Sequence, residues 1–320
     1  MSPPLVVVVT PVYNGAEFIA ETMESVQAQT WPNLIHLVLD NNSSDGTGEI
    51  VERYRNGKVP LQVFRNETTL PILENWNTAY GMVPAEAAYV RILCADDTIT
   101  PDSIEEMVKL GEAHPEVGVI GCLHWCDGGV GDFLWPAGQE VFDGEDAIRR
   151  TILREGVLMP VQMMMRKSVS DRRKPLFQAM PGLSHDLVAM MDLLTHSKFG
   201  FVHKELGFTR VHDGTMSAQN ADPKTGAWTC DGLFILRTFG EKVFGPAYRE
   251  HLLRFRRYYV RRILAWRRGN PDLPYLPRHY QAIRDAGWRW GPGLIADAMI
   301  DGALNRIGVR RSWTGFPGWQ

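Results

Sequence analysis

Through the first 125 residues, apolar runs alternate with stretches of helical spacing. The runs are "LVVVVTPVYN" (5–14), "LIHLVLD" (34–40), "PLQVFRN" (60–66), "AYVRILCA" (88–95) and "VGVIGCLHW" (117–125). Between them, "GAEFIAETMESVQAQ" places Phe18, Ile19, Thr22 and Val26 on one helical face, and "LENWNTAYGMV" and "DSIEEMVKLGEAH" also read as helices. Strands that alternate with helices of this length imply βαβ units. The predicted fold class is therefore α/β, with a Rossmann-like, mainly parallel central sheet flanked by helices.

At 320 residues the chain can bury a full core. Its 44% hydrophobic and 22% charged residues are an ordinary globular balance. No apolar run is long enough to cross a bilayer, and the N-terminal stretch lacks the charged and apolar regions of a signal peptide, so neither is expected. Four cysteines point to a reducing compartment rather than a disulfide framework. Cys122, His124 and Cys126 alternate along one strand, but three such residues fall short of a structural zinc site.

Beyond residue 130 the pattern loosens. "GGVGDFLWPAG" reads as a loop, "DGEDAIRRTIL" as a short helix, "PVQMMMRKS" as a strand and "LSHDLVAMMDLLTHSKFG" as a helix. "FVHKELGFTRVHDGTMSAQ" reads as a strand running into a polar loop. From about residue 225 the chain is helical and rich in arginine. Residues 241–320 hold 15 Lys and Arg against 6 Asp and Glu, whereas the rest of the chain is acidic.

Three strands of the first half end in polar residues: "TPVYN" (10–14), "LDNNSSDGT" (39–47) and "CADD" (94–97). In an open α/β sheet the carboxyl ends of the strands are where ligands bind. Each stretch alone could be a turn or a helix cap, with Asp45 suited to cap the helix that follows it. In the last stretch Asp96 and Asp97 repel one another, a cost that a bound cation would remove.

The ordered set "TPVYN…LDNNSSDGT…NWN…LCADD" resembles the family 2 glycosyltransferases over roughly residues 5–220. That resemblance implies a GT-A fold and an inverting transfer from a nucleotide-sugar donor. It implies a nucleoside pocket formed by Thr10, Pro11, Tyr13, Asn14 and Asp40, with Arg65 and Asn77 at polar positions near the donor. Asp40 suits a base N–H, and Tyr13 offers a flat apolar surface. Asp96 and Asp97 match the D-x-D-type motif: Asp97 as ligand of Mn2+ or Mg2+, Asp96 facing ribose or sugar. Hard carboxylate oxygens suit such cations, which neutralise a departing diphosphate.

By the same resemblance, Asp186 in "PGLSHDLVAMMDLL" takes the place of the general base that deprotonates the acceptor hydroxyl. His185 stands where the family usually has Glu, and is assigned with Arg210 to the acceptor side. His212 in "FTRVHDGTMS" is expected to complete the metal or diphosphate site, with Arg210 orienting that loop.

Residues 248–270 carry eight arginines, with Leu252, Phe255, Tyr259, Ile263 and Trp266 at helical spacing. Three readings are open for this basic helix. It packs on the catalytic body with its arginines in water, lies on an anionic membrane surface near a lipid-linked acceptor, or binds nucleic acid, for which no recognition module is present. The tryptophans of 287–319 suit a membrane-proximal or homo-oligomer surface.

The expected organisation is a catalytic domain over 1–222, divided into a nucleotide-sugar half (1–125) and an acceptor half (126–222), then a helical arginine-rich region over 223–320. The expected activity is metal-dependent inverting transfer from a UDP- or GDP-linked sugar to a glycan, lipid-linked or other acceptor in cell-surface polysaccharide or glycoconjugate synthesis. The expected location is cytoplasmic, at the inner face of the membrane where it is peripheral. Two rivals are a catalytically silent sugar-nucleotide- or lipid-binding protein and a nucleotidyltransferase. The glycine-rich basic loop of the latter is absent from "TPVYNGAEF".

Overall fold

The computed structural model describes residues 2–126, 129–130, 133–212, 214–215, 226–269 and 275–316. The expected boundary at 222/223, part of the 128–138 loop and Trp319 lie outside these residues. By contacts the chain divides into two units. The first comprises Met1–Ala147, Val157–Ala179 and Asp186–Val211, and the second Ile148–Gly156, Met180–His185 and His212–Gln320.

The first unit is built on strands β1 (Val6–Val12), β2 (Leu34–Asp40), β3 (Leu61–Arg65), β4 (Tyr89–Ile92), β5 (Thr98–Ile99), β6 (Val117–Cys126), β7 (Gly129–Val130), β8 (Val141–Phe142), β9 (Met164–Arg166) and β10 (Lys198–Thr209). Helices α1 (Ile19–Gln27), α2 (Thr47–Glu52), α3 (Ile72–Gly81) and α4 (Ser103–Ala113) connect the early strands. The sheet runs β3-β2-β1-β4-β9-β6-β10-β5. Pairing is parallel among β3, β2, β1 and β4 and between β6 and β10, and antiparallel where β9 joins β4 and β6.

Every residue of β1 is buried, as a continuous β-branched run between two covered faces requires. Of the predicted face of α1, Ile19, Thr22 and Val26 are fully buried and Phe18 is partly buried; Met23, outside that face, is fully buried too. At about 1.5–3 kcal/mol for each large apolar side chain fully buried, these residues are a main source of the fold's stability. The direction of sheet growth reverses at β1, flanked by β2 and β4. Carboxyl ends at such a reversal open a crevice. The register aligns Val12 with Asp40 and Asp40 with Arg65, so the ends of β1, β2 and β3 share one rim.

"PVQMMMRKS" is less regular than expected. Only Met164–Arg166 is strand, preceded by a 3-10 turn at Pro160–Gln162 and followed by α6 (Lys167–Ser170), after α5 (Gly144–Leu153). Its pairing runs against β4 and β6 over only a few residues. Helix α7 (His185–Leu194) then leads to β10, whose register against β6 shifts at Val202/Glu205 and Glu205/Phe208.

The helices of the second unit are α8 (Ala227–Phe244), α9 (Tyr248–Gly269), α10 (Leu276–Asp285) and α11 (Pro292–Arg306). Of the expected apolar stripe of α9, Phe255, Tyr259, Ile263 and Trp266 are buried and Leu252 is partly buried, with Phe255 edge-on to Trp313. Arg256 and Arg257 bond Asp297, and Arg261 bonds Asp301, at 2.5–2.8 Å. Cys230, Tyr259 and His279 form a buried polar node, with the Tyr259 hydroxyl 2.7 Å from His279 Nδ1 and 3.0 Å from Cys230 Sγ.

Candidate active site

The turns after β1 and β2 are stitched together. Asn14 and Gly15 donate their N–H groups to Ser43 Oγ and Thr47 Oγ1, and Ala16 donates to Asp45 Oδ2, each at 2.9 Å. Asn14 adopts φ 48, a left-handed conformation that Asn tolerates, and its Oδ1 accepts the Ser44 N–H. The N-cap of α2 is Gly46 rather than Asp45, whose Oδ1 accepts the Thr47 N–H from one residue further out. These bonds leave Tyr13 at the rim, 54% exposed, as a flat face at the mouth of the crevice.

Beneath the rim, Thr10 is buried and its Oγ1 lies 3.0 Å from His36 Nε2. Pro11 is also buried. Asp40 is buried, with Oδ1 accepting the Ser43 N–H at 2.8 Å and Oδ2 held by Arg65 at 2.5 Å. Arg65 reaches on to Asn42 Oδ1 and Ser43 O, so it fixes the turn beside Asp40. Asn77 lies on α3. Its side-chain amide exchanges two hydrogen bonds with the backbone of Phe177, at 2.8 and 2.9 Å, and joins α3 to a later segment.

After β4, Cys94, Asp96 and Asp97 bring ligand-type atoms within 4.8 Å of one another, the sole such group among the described residues; Cys122, His124 and Cys126 form none. Asp97 is 2% exposed. Burial, and then the neighbouring Asp96 charge, push its carboxyl up to about 8, against the opposing pull of Arg210 and Arg91. A buried acid raised in this way is only partly balanced by the cations around it. Burial also drives the Cys94 thiol well above its ordinary value, helped by Asp97, Asp96 and Asp186. A protonated thiol is a poor partner for a hard cation, so the two carboxylates are the fitting donors for Mg2+ or Mn2+.

Several groups hold this pair. Thr22 Oγ1 donates to the Asp97 carbonyl at 2.8 Å, and the Arg210 N–H donates to Asp97 Oδ1 at 3.0 Å. The Arg210 guanidinium bonds Asp96 O and Glu21, and stacks over Phe18 at 4.7 Å. Behind the pair lies Arg91, fully buried, donating to Ser103 Oγ, Met107 Sδ and Gln162 Oε1, while its Nε has no hydrogen-bond partner. Gln162 needs Gly207 opposite it, since a Cβ there would stand 2.2 Å from its Oε1.

Asp186 stands in the first turn of α7, partly buried, with Oδ1 accepting the Leu187 N–H at 2.7 Å. Its charge reaches Cys94, as do those of Asp96 and Asp97. His185 is also partly buried, its N–H donating to Leu183 O. His212 heads a tight turn, accepting from Thr215 through its carbonyl and from Gly214 through Nδ1.

Sequence reasoning missed Arg91 and Asp231. Asp231 of α8 is fully buried and accepts from the Leu183 N–H, the Ser184 N–H and the Ser184 hydroxyl at 2.7–3.2 Å. Burial, ahead of those stabilising bonds, raises its carboxyl to about 6. It therefore grips the two residues that precede His185 and Asp186. The nearest warning in the sequence is Gly182, where any Cβ would overlap Asp231 Oδ1.

A sequence profile described as Glycosyl transferase family 2 matches residues 7–173. Glycosyltransferase GlyG of Streptococcus pneumoniae is 26% identical over 75% of this chain and 79% of its own length. The putative teichuronic acid biosynthesis glycosyltransferase TuaG of Bacillus subtilis is 31% identical over 33% of this chain and 41% of TuaG. The poly(ribitol-phosphate) beta-N-acetylglucosaminyltransferase TarP of Staphylococcus aureus is 23% identical over 60% of this chain and 58% of TarP. The chain thus matches under two thirds of the length of TuaG and TarP. Among solved structures, S. aureus TarS 1–349 in complex with UDP-GlcNAc superposes with TM-score 0.63 at 19% identity, covering 88% of this chain and 80% of that one. The mannosyltransferase PcManGT from Pyrobaculum calidifontis, in complex with GDP-Man and Mn2+, gives 0.58 at 17% identity over 98% and 84%. Both share the α/β fold described above.

Proposed function

The chain belongs to glycosyltransferase family 2, with the GT-A fold, and from that premise we propose that it performs metal-assisted, inverting transfer of a sugar from a nucleotide diphosphate to an acceptor hydroxyl. One observation carries the proposal: Cys94, which groups with Asp96 and Asp97 after β4, feels the charges of both and that of Asp186, so candidate cation donors and a candidate base bear on one residue.

In this reading the base and ribose lie along the rim from Tyr13 to Asp40. Tyr13 gives a face for stacking, Asp40 accepts a base N–H, and Arg65 holds Asp40 in place. Asp97, with Asp96 beside it, would hold Mn2+ or Mg2+, and such a cation would supply charge neutralisation of the diphosphate leaving group. The mannosyltransferase with GDP-Man and Mn2+ supports that choice of donor class and cation. Asp186 takes the proton from the acceptor hydroxyl as that oxygen bonds to the anomeric carbon. The bond from that carbon to phosphate breaks, and its electron pair leaves with the nucleoside diphosphate. His185 lines the acceptor side, Arg210 holds the Asp97 turn and His212 is the proposed companion of the diphosphate.

The proposed acceptor is a glycan or lipid-linked hydroxyl in cell-surface polysaccharide synthesis, in keeping with the names of TuaG and TarP. The proposed setting is the cytoplasm, which suits four free cysteines. No helix among the described residues is long and apolar enough to cross a membrane.

The test incubates the protein with Mn2+ and a panel of UDP- and GDP-sugars and measures nucleoside diphosphate release. Release from one donor that stops in EDTA is the expected result. Donor binding without release under any acceptor would instead identify a silent binding protein, and undiminished release in EDTA would remove the cation.

A further inference from the structure

Helix α11 is built inside out. Its polar residues face its neighbour: Asp297 and Asp301 bond Arg256, Arg257 and Arg261 of α9, Ala298 is buried, its carbonyl accepting from Arg261 Nη1, and Asn305 donates to Asp301. Its apolar residues face outward. Met299 is 55% exposed and Ile300 58%, and the row continues through Ala303 to Ile307 at 71% and Val309 at 66%. Positions 299, 303 and 307 fall on one helical line. An ordinary surface helix has the opposite arrangement, with the apolar stripe against the core. Several large apolar side chains exposed together mark an interaction site.

We propose that this outer face of α11 and the segment just beyond it dock on an anionic lipid surface. The charge around the patch selects that occupant. Arg306 and Arg311 are exposed beside Ile307 and Val309, Arg310 is exposed with its guanidinium 3.6 Å from Asp301, and residues 302–316 contain no acid. The acids of α11 itself are turned toward α9, where they balance arginines. What remains outside is apolar and cationic, the combination that inserts into the headgroup boundary and is drawn to acidic lipids. A second copy of the chain fits less well: a two-fold contact would set the same arginines against each other. On α9, Arg254, Arg256, Arg257 and Arg261 are paired with acids and Arg262 lies over Trp266, so five of that helix's eight arginines have partners within the second unit. The inference is independent of the catalytic reading.

The experiment sediments the full chain with vesicles of phosphatidylcholine alone and with roughly 30% phosphatidylglycerol, in low and high salt. Binding to the anionic vesicles only, weakened by salt, is expected. Ile300→Asp/Ile307→Asp should lower it at least about tenfold, and Arg306→Glu/Arg311→Glu should lower it likewise, with far-UV CD and Tm unchanged since all four side chains are exposed. Three results would overturn the proposal: wild-type protein indifferent to anionic vesicles, both variants binding like wild type, or light scattering that shows a dimer broken by Ile300→Asp/Ile307→Asp with no vesicle binding.

Discussion

Asp97 Oδ1 accepts the backbone N–H of Arg210 at 3.0 Å, joining the end of β4 to the end of β10 across 113 residues of chain. Asp97 thus serves two ends: it anchors the exit of β10 and presents a carboxylate at the crevice. Asp97→Asn keeps the shape and an acceptor for Arg210 while removing the charge. Its nucleoside diphosphate release in Mn2+ should fall about 10²–10³-fold, with CD and Tm at least equal to wild type because an unbalanced buried carboxylate has gone. Calorimetric titration with Mn2+ checks the cause: retained affinity would free Asp97 of the ligand role.

Arg91 is a fully buried cation whose charge opposes the rise at Asp97, and it holds Ser103, Met107 and Gln162 at once. Arg91→Leu removes the charge and leaves buried acceptors unpaired. Loss of one member of a buried charged network costs about 3–5 kcal/mol, so the variant should unfold at clearly lower denaturant. Arg91→Lys should fall between, since one ammonium cannot reproduce the forked geometry. Equal stability of all three proteins in urea melts would show the network to be dispensable.

His36 sets a pH dependence. Burial lowers its pKa from 6.5 to about 3. Below pH 6.5 the unfolded chain binds a proton that the folded chain refuses until about pH 3, so stability present above 6.5 is lost as pH falls through that window. The limiting slope is about 1.4 kcal/mol per pH unit. Thr10→Val/His36→Leu replaces both hydrogen-bonding partners by apolar groups and should flatten the wild-type slope between pH 6.5 and 5 in denaturant titrations. A slope identical in the two proteins would mean that His36 accepts a proton in the folded state.

How much of this was legible in the chain depends on how local each cause is. The strand ends "TPVYN", "LDNN" and "CADD" could be read because a polar cluster directly after an apolar run needs no distant partner. The family profile and the fold agree with the α/β reading built on them. Arg91 was not legible. Inside "YVRIL" it looks like an ordinary strand residue, and only Gln162, 71 residues on, shows that it is buried and bound. The strand Met164–Arg166 was overextended because its length is set by the gap between β4 and β6, not by its own composition. The inversion of α11 is invisible to periodicity, which gives the same period whichever side faces in. Its direction follows from the arginines of α9.

Asp231 and Asp186 make the last prediction, because one holds the segment from which the other projects. Asp231 accepts three hydrogen bonds from Leu183 and Ser184, two residues ahead of Asp186. Asp231→Ala leaves the buried Ser184 donors and the partly buried Leu183 N–H without partners, at about 1–3 kcal/mol for each buried one. Gly182→Ala collides with the same carboxylate, its Cβ 1.1 Å from Oδ1. Both variants should move the start of α7 without touching the rim between Tyr13 and Asp40, so donor KM should hold while kcat falls, about tenfold or more for a displacement near 1 Å. Asp186→Asn supplies the comparison: it should keep wild-type stability and donor affinity and lose about 10²–10⁴-fold in transfer. Steady-state kinetics beside urea melts separate the cases. If Asp231→Ala loses stability but keeps kcat, Asp231 supports only the fold, and if Asp186→Asn transfers sugar at the wild-type rate, the base lies elsewhere.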